Sequence, residues 1–266
     1  MTVRPAAVAG MFYPGETGAL RAMIDQMLGS ARAQASMTAG LEAVIVPHAG
    51  YIYSGSTAAL SYVLLEQLVD KIKHVVIVGP THRVGIRGIA LPDADAMATP
   101  LGEVPLWAEG VRLALAQPLV VTSEAVHAEE HSIEVQLPFI QTVLPDADVL
   151  PLAAGWVEPQ AVTTILQAVW SPDTMIVISS DLSHYHPYHE AQAIDQATVA
   201  QILALDPAIN HDQACGATGV DAVILAAQDR GLAPHLLGMC NSGDTAGDKS
   251  RVVGYAAVGF TAESSM

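Results

Sequence analysis

The chain has 266 residues, 51% of them hydrophobic and 14% charged, long enough to bury roughly three quarters of its unfolded surface without covalent staples. Eleven Lys and Arg against 27 Asp and Glu leave a formal charge of −16, which opposes phosphate backbones and anionic lipid and argues against nucleic acid and membranes as partners. No apolar run approaches the roughly 20 residues of a membrane helix, and Arg4, Pro5 and Gly10 interrupt any signal-peptide stretch, so the expected location is the cytoplasm. There the two cysteines, Cys215 and Cys240, are expected to be free thiols or ligands.

In chain order, Met11 to Pro14 form an aromatic turn ahead of a predicted helix over 18–33, whose Leu20, Met23, Ile24, Met27 and Leu28 fall at helical spacing. A connector over 35–40 leads to Val44, Ile45 and Val46, a β-branched run stopped by Pro47 that reads as a buried strand. His48 follows at once, and 55–69 reads as helix. The stretch 74–79 is a second buried strand, with Pro80, Thr81 and His82 directly after it. Residues 87–91 read as strand, 92–105 as loop, 106–116 as helix and 119–122 as strand. The polar segment 123–130 precedes a helix predicted over 132–143 with Ser132 as its N-cap. A strand over 148–153 and a helix over 159–170 follow. The run 174–179 is a third buried strand, ending in Ser180, Asp181, Leu182, Ser183 and His184. Helices over 188–204 and from 219 to 230, and strands over 236–239 and 251–260, complete the chain. About seven strands alternate with about seven helices and nothing divides them. This predicts a single domain over 1–266, a three-layer α/β/α sandwich with a largely parallel central sheet, and not an eightfold barrel.

Three predicted strands each deliver a histidine just past their ends: His48, His82 and His184. Ligands of open α/β sheets bind at the carboxyl ends of the strands, so parallel strands would bring these imidazoles to one rim. Cys215 lies in Asp-Gln-Ala-Cys-Gly-Ala-Thr-Gly, immediately before a predicted helix, where unpaired N–H groups favour a thiolate. With Gly216 and Gly219 allowing close backbone approach, it is a candidate ligand or nucleophile. Asp181, three residues before His184, is placed to orient that imidazole, join a metal shell or cap the next turn. Cys240 reads as structural, and His186 and His189 as solvated. His127 and His131 frame His-Ala-Glu-Glu-His, which matches the zinc-protease pattern H-x-x-E-H. With Ser132 as N-cap, His127 would lie in the preceding loop, so the two are not expected to share a metal, while His131 can still face the strand rim.

These residues also carry a resemblance. Pro-His-Ala-Gly-Tyr (47–51), Gly-Pro-Thr-His (79–82), Glu-His-Ser-Ile-Glu (130–134), Ser-Ser-Asp-Leu-Ser-His (179–184) and the Cys215-Gly216 turn occur in the order seen in the Memo family, called AmmeMemoRadiSam system protein B in prokaryotes. The resemblance implies a fold similar to the class III extradiol dioxygenases, whose iron is held by two histidines and a carboxylate. Carried over by position, it implies His48 and His82 as metal ligands, Cys215 as the pocket cysteine, and Asp181 and His184 as further pocket residues. A thiol where the dioxygenases have a carboxylate softens the site toward Cu(I), Zn or a redox-active iron.

The leading expectation is therefore a metal-dependent oxidoreductase. His48, His82 and Cys215 would hold iron or copper, with zinc as the alternative ion; His184 would move a proton, Asp181 would tune it and His131 would stand beside them. A second expectation is a non-catalytic module capturing a peptide or partner, with Phe12, Tyr13, Tyr51 and Tyr53 at the pocket rim. A third is a thiol or zinc hydrolase using Cys215. The family name implies AMMECR1-like and radical S-adenosylmethionine proteins as partners, though this chain has no Cys-x-x-x-Cys-x-x-Cys motif of its own.

Overall fold

The computed structural model describes residues 2–34 and 40–262, so the connector predicted at 35–40 lies, but for Gly40, outside the described residues. The strands are β1 (Val3–Arg4), β2 (Leu41–Val46), β3 (His74–Pro80), β4 (Ile89–Leu91), β5 (Ala96–Thr99), β6 (Gly102–Pro105), β7 (Val120–Thr122), β8 (Asp148–Ala154), β9 (Thr174–Ser179), β10 (His184–His186), β11 (Leu232–Asn241) and β12 (Val252–Ala262). The helices are α1 (Thr17–Arg32), α2 (Tyr51–Leu65), α3 (Ala108–Leu115), α4 (Glu124–His127), α5 (Leu137–Val143), α6 (Pro159–Val169), α7 (Tyr188–Leu203) and α8 (Ala217–Arg230).

The main sheet runs β10-β12-β2-β9-β3-β8-β4-β7, with β11 also paired to β12. Its four central strands, β2, β9, β3 and β8, are mutually parallel. The flanks are antiparallel where β12 meets β2 and where β4 meets β8, so the sheet is mixed around a parallel centre. The central strands are apolar throughout because both faces are covered. Val44, Val46, Val75, Ile77, Met175 and Val177 belong to one apolar cluster with α1, α2 and α5. The alternate residues, among them Ile45, Val76, Val78, Ile176 and Ile178, belong to a second with α3, α6, α7 and α8. The result is a three-layer α/β/α sandwich.

The connection β2 to β3 crosses the sheet in one direction and β8 to β9 in the other. Right-handed crossovers then require their helices, α2 and α6, on opposite faces, as observed. This winding sets the carboxyl ends of β2, β9 and β3 side by side.

Several boundaries differ from the sequence expectation. Helix α2 starts at Tyr51, not 55, because the Tyr51 N–H is donated to Phe12 O (2.7 Å), which anchors the first turn. Ser132 is not an N-cap: its hydroxyl donates to Pro80 O (2.8 Å), a 3₁₀ turn spans Glu134–Gln136, and α5 begins at Leu137 with a proline in its first turn. His127 lies in the short helix α4, not in a loop. The expected loop over 92–105 contains the β5–β6 hairpin, which joins β1 in a second, three-stranded sheet. Among the described residues no helix is long and apolar enough to cross a membrane.

Candidate metal centre

His48 leaves β2 one residue after Pro47 and is 1% exposed. Its backbone N–H is donated to Asp181 Oδ1 (2.7 Å) at the end of the neighbouring β9, which ties the two strand ends together. Its ring is oriented by a buried relay. Gln136 Nε2 donates to Pro47 O (3.1 Å) and Ser179 Oγ (2.8 Å), while its Oε1 accepts from the Tyr62 hydroxyl (2.8 Å). Ser179 spends its only hydrogen on Ser132 O (2.5 Å), so its oxygen can only accept from His48 Nδ1 (2.9 Å). The neutral imidazole is thereby fixed as the Nδ1–H tautomer, with the Nε2 lone pair aimed at Cys215 Sγ, 3.2 Å away. Burial, then the nearby His82 and His131, pushes the His48 pKa well below its ordinary value, so the ring is neutral at physiological pH.

His82 is fixed by a carboxylate. Glu130 Oε1 accepts from His82 Nδ1 (2.9 Å) and from the N–H groups of His131 and Ser132 (both 2.9 Å), and Oε2 accepts from the His82 N–H (2.5 Å). Burial alone would raise the Glu130 pKa, but the His82 ring and these N–H donors outweigh it and hold the group well below the usual carboxylate range. A carboxylate bound to Nδ1–H leaves Nε2 of His82 as the open donor, the arrangement found behind metal-ligating histidines.

Cys215 arrives from a distant part of the chain, docked on the end of β9. Its N–H is donated to Asp181 O (3.2 Å), its Sγ accepts from the Asp181 N–H (3.3 Å), and the Gly216 N–H is donated to Ser180 Oγ (2.9 Å). A Cβ at Gly216 would stand 2.7 Å from Ser180 Cβ and 2.8 Å from Ser179 O, so only glycine permits this approach. The expected lowering of the thiol pKa is overturned: burial, then the neighbouring Asp181, pushes it up to about 12, and the surrounding donors offset only part of that. Desolvation at this site exceeds the pull of the helix start.

Among the described residues, ligand atoms of His48, His82 and Cys215 all lie within 4.8 Å of one another, and a second group comprises His82, Glu130 and His131. In the second, Glu130 is already spent on four hydrogen bonds, whereas the first offers two imidazole lone pairs and a thiol. The residues therefore fit a cation, and the first group is the one free to take it. The other predicted site residues border the same cavity of about 1040 Å³. The His131 ring lies 4.4 Å from that of His82 and 5.4 Å from that of His48, packed against Phe12 at 4.5 Å. Its Nδ1 is buried without a hydrogen bond among the described residues, 3.4 Å from Glu130 Oε1, and burial lowers its pKa to about 4. Asp181 does not orient His184, whose Nδ1 donates instead to Leu182 O (2.8 Å); it holds the His48–Ala49 turn, and burial raises its pKa to about 7.

One reading from sequence is corrected here. Phe12 and Tyr53 line the cavity, but Tyr13 and Tyr51 are buried, with hydroxyls on Glu134 Oε1 (2.6 Å) and Val135 O (2.8 Å); their rings are core, not rim. His127 turns away from the rim, its Nε2 bonded to Ala90 O (2.9 Å), so the H-x-x-E-H spacing joins no common site. Ser179 and Glu130 open two of the motifs read from sequence, but their part in fixing the tautomers, and Gln136 altogether, is visible only in the fold.

A family model described as Memo-like protein matches residues 4–259. MEMO1 family proteins of Ignicoccus hospitalis, Aquifex aeolicus and Metallosphaera sedula are 35%, 33% and 33% identical to this chain. The matches cover 98%, 98% and 97% of this chain and 99%, 100% and 99% of the relatives. With a family model spanning nearly all of its length and relatives that align end to end, the chain belongs to the Memo family.

Proposed function

We propose that this protein is a metal-dependent oxidoreductase whose His48, His82 and Cys215 hold an iron or copper ion. The observation that carries the reading is the convergence of their ligand atoms within 4.8 Å on a cavity of about 1040 Å³. Two imidazoles and a thiolate form a donor set suited to Cu(I), Zn or a redox-active iron, and three protein ligands leave coordination positions for a substrate. A bound ion supplies electron transfer and polarises what is bound beside it.

The chain's own residues do the rest. Ser179 and Glu130 each hold the Nδ1–H of a ring, of His48 and His82 respectively, and so leave Nε2 as the metal-side atom. Cys215 surrenders its proton when it becomes a ligand. His184, its Nδ1–H committed to Leu182 O and its pKa lowered by burial, presents Nε2 to accept a proton from a substrate in the cavity. His131, neutral at physiological pH, is a second acceptor on the cavity wall. A thiol hydrolase is disfavoured, because a thiol near 12 is almost wholly protonated at neutral pH and a poor nucleophile.

The test is metal content, by elemental analysis after anaerobic purification, beside thermal unfolding of the wild type, Cys215→Ser and His48→Ala. The expected outcome is stoichiometric iron or copper in the wild type, lost in both variants with little change in melting temperature. Stoichiometric zinc would favour a hydrolase, a metal-free wild type the binding module, and unchanged metal with lost stability in Cys215→Ser a packed core thiol.

A further inference from the structure

Arg251 borders the same cavity as His48, His82 and Cys215. Arg4, Arg32, Arg112 and Arg230 each pair with a glutamate, whereas Arg251, like Arg21, Arg83 and Arg87, makes no ion pair among the described residues. Its guanidinium lies instead 5.0 Å from the ring centroid of Tyr185. What sets it apart is its place: among the described Lys and Arg, Arg251 is the one that borders this cavity. Asp248, which also borders the cavity, is turned to accept the Ser250 N–H (2.6 Å).

The ring beneath Arg251 is itself held at a cost. Tyr185 is 62% exposed and adopts a left-handed backbone (φ 64°), at the irregularity between His184 and His186 where β10 pairs with β12. Two residues before Arg251 the arrangement recurs: Lys249 Nζ lies 4.5 Å from the Tyr188 ring centroid, and the Tyr188 N–H is donated to Lys249 O (3.1 Å). The cationic segment is thus clasped on aromatic faces. Stacking occupies the flat face of a guanidinium and leaves its N–H edge free for a planar, bidentate acceptor.

We infer that Arg251 anchors the carboxylate of a small organic acid whose far end reaches the imidazole–thiol group; this rests on the reading of the cavity as a substrate site. The charge balance selects a carboxylate over a phosphate. Arg251 shares the wall with Asp212 and Asp248, one positive charge against two negative ones, so a singly charged acid meets less repulsion there than a dianion. Phe12, Tyr53 and Tyr255 supply the apolar wall for the body of such a molecule.

The experiment titrates the metal-free protein with benzoate, benzamide and phenyl phosphate, following cavity residues by NMR. Benzoate should bind the wild type more tightly than either of the others. It should weaken about tenfold in Arg251→Gln and less in Arg251→Lys, with benzamide unaffected by either change. Arg251 is at the surface, so the fold is not at stake. Equal benzoate binding by wild type and Arg251→Gln, no benzoate binding by the wild type, or tighter binding of phenyl phosphate overturns the inference. Metal-free Cys215→Ser should keep its benzoate affinity. A failed metal reading therefore leaves the Arg251 result standing, and a failed Arg251 result leaves metal content untouched.

Discussion

Strand β3 carries a histidine paired with a carboxylate near each of its ends. At the amino end, His74 Nδ1 lies 2.5 Å from Asp148 Oδ1 on the neighbouring β8, and the indole of Trp107 stacks on the imidazole at 4.1 Å. Past the carboxyl end, His82 Nδ1 lies 2.9 Å from Glu130 Oε1. The two imidazoles are similarly exposed, 23% and 28% by side chain, but Asp148 is 26% exposed and Glu130 1%. Asp148 is a cross-strand neighbour sharing its imidazole with solvent and a covering indole. Glu130 is enclosed by N–H donors and aims its histidine at a second histidine, a thiol and a cavity. A histidine–carboxylate pair is therefore no site by itself; it becomes one where the strand ends converge and the carboxylate is fully committed.

The sharpest way to break this contrast is to release the segment that delivers Glu130 and His131. Glu134 is completely buried and accepts from Arg4, from the N–H groups of Ala7 (2.8 Å) and Val8 (3.0 Å), and from the Tyr13 hydroxyl. Arg4 also donates to His127 O (3.0 Å) and Glu130 O (2.9 Å), clipping the amino-terminal segment to the loop. Glu134→Gln leaves the Arg4 guanidinium buried without its counter-charge and should cost about 3–5 kcal/mol of stability. Chemical denaturation measures it; a loss below about 1 kcal/mol would mean the loop is held by other contacts.

Next in size, Glu130→Gln should weaken binding of added Fe(II) by about 10–100-fold, while Asp148→Asn at the other end leaves it unchanged. Equal effects from the two would abolish the distinction between the ends.

The pH dependence sharpens the same comparison. With the Cys215 thiol near 12 and His48 depressed below its ordinary value, metal uptake near neutrality must expel the proton on sulfur and none from His48. Below the thiol's pKa the free protein holds that proton and the metal-bound form does not. Affinity should therefore rise about tenfold per pH unit between pH 6 and 8. Competition with a chelator of known pH dependence measures the slope, and a flat profile would remove Cys215 from the ligand set. The smallest effect is expected at the amino end. Asp148→Asn, at a partly exposed pair, should change stability by no more than about 1 kcal/mol in thermal unfolding.

The elements that convey this chemistry were legible to different degrees. Buried central strands announce themselves as unbroken β-branched runs, so His48, His82 and His184 could be placed at strand ends from sequence. Gly216 beside Cys215 marked a close approach. The hydrogen-bonding roles of Ser179, Gln136 and Glu130 carry no pattern, because a relay is defined by which backbones the fold brings together. The β5–β6 hairpin escaped because Ala-Met-Ala-Thr and Gly-Glu-Val-Pro lack strand-forming alternation and pair only through β1 and each other. Tyr13 and Tyr51 sit beside the glycine-rich turns like rim aromatics, yet Glu134 and Val135 O draw their hydroxyls inward.

The docking of Cys215 on the end of β9 bears on the order in which the molecule is made. Its sulfur meets His48 across 167 residues of chain, after strands β2, β3, β8 and β9 have assembled between them. Contacts of such long sequence separation form late, since their loop-closure cost precedes their reward. Unlike a zinc finger, whose ligands lie close in sequence and whose ion organises the chain, this centre cannot nucleate its own scaffold. A nascent chain that has emerged only through β9 carries both imidazoles and no thiol, so the full ligand set exists only after the four parallel strands have been made.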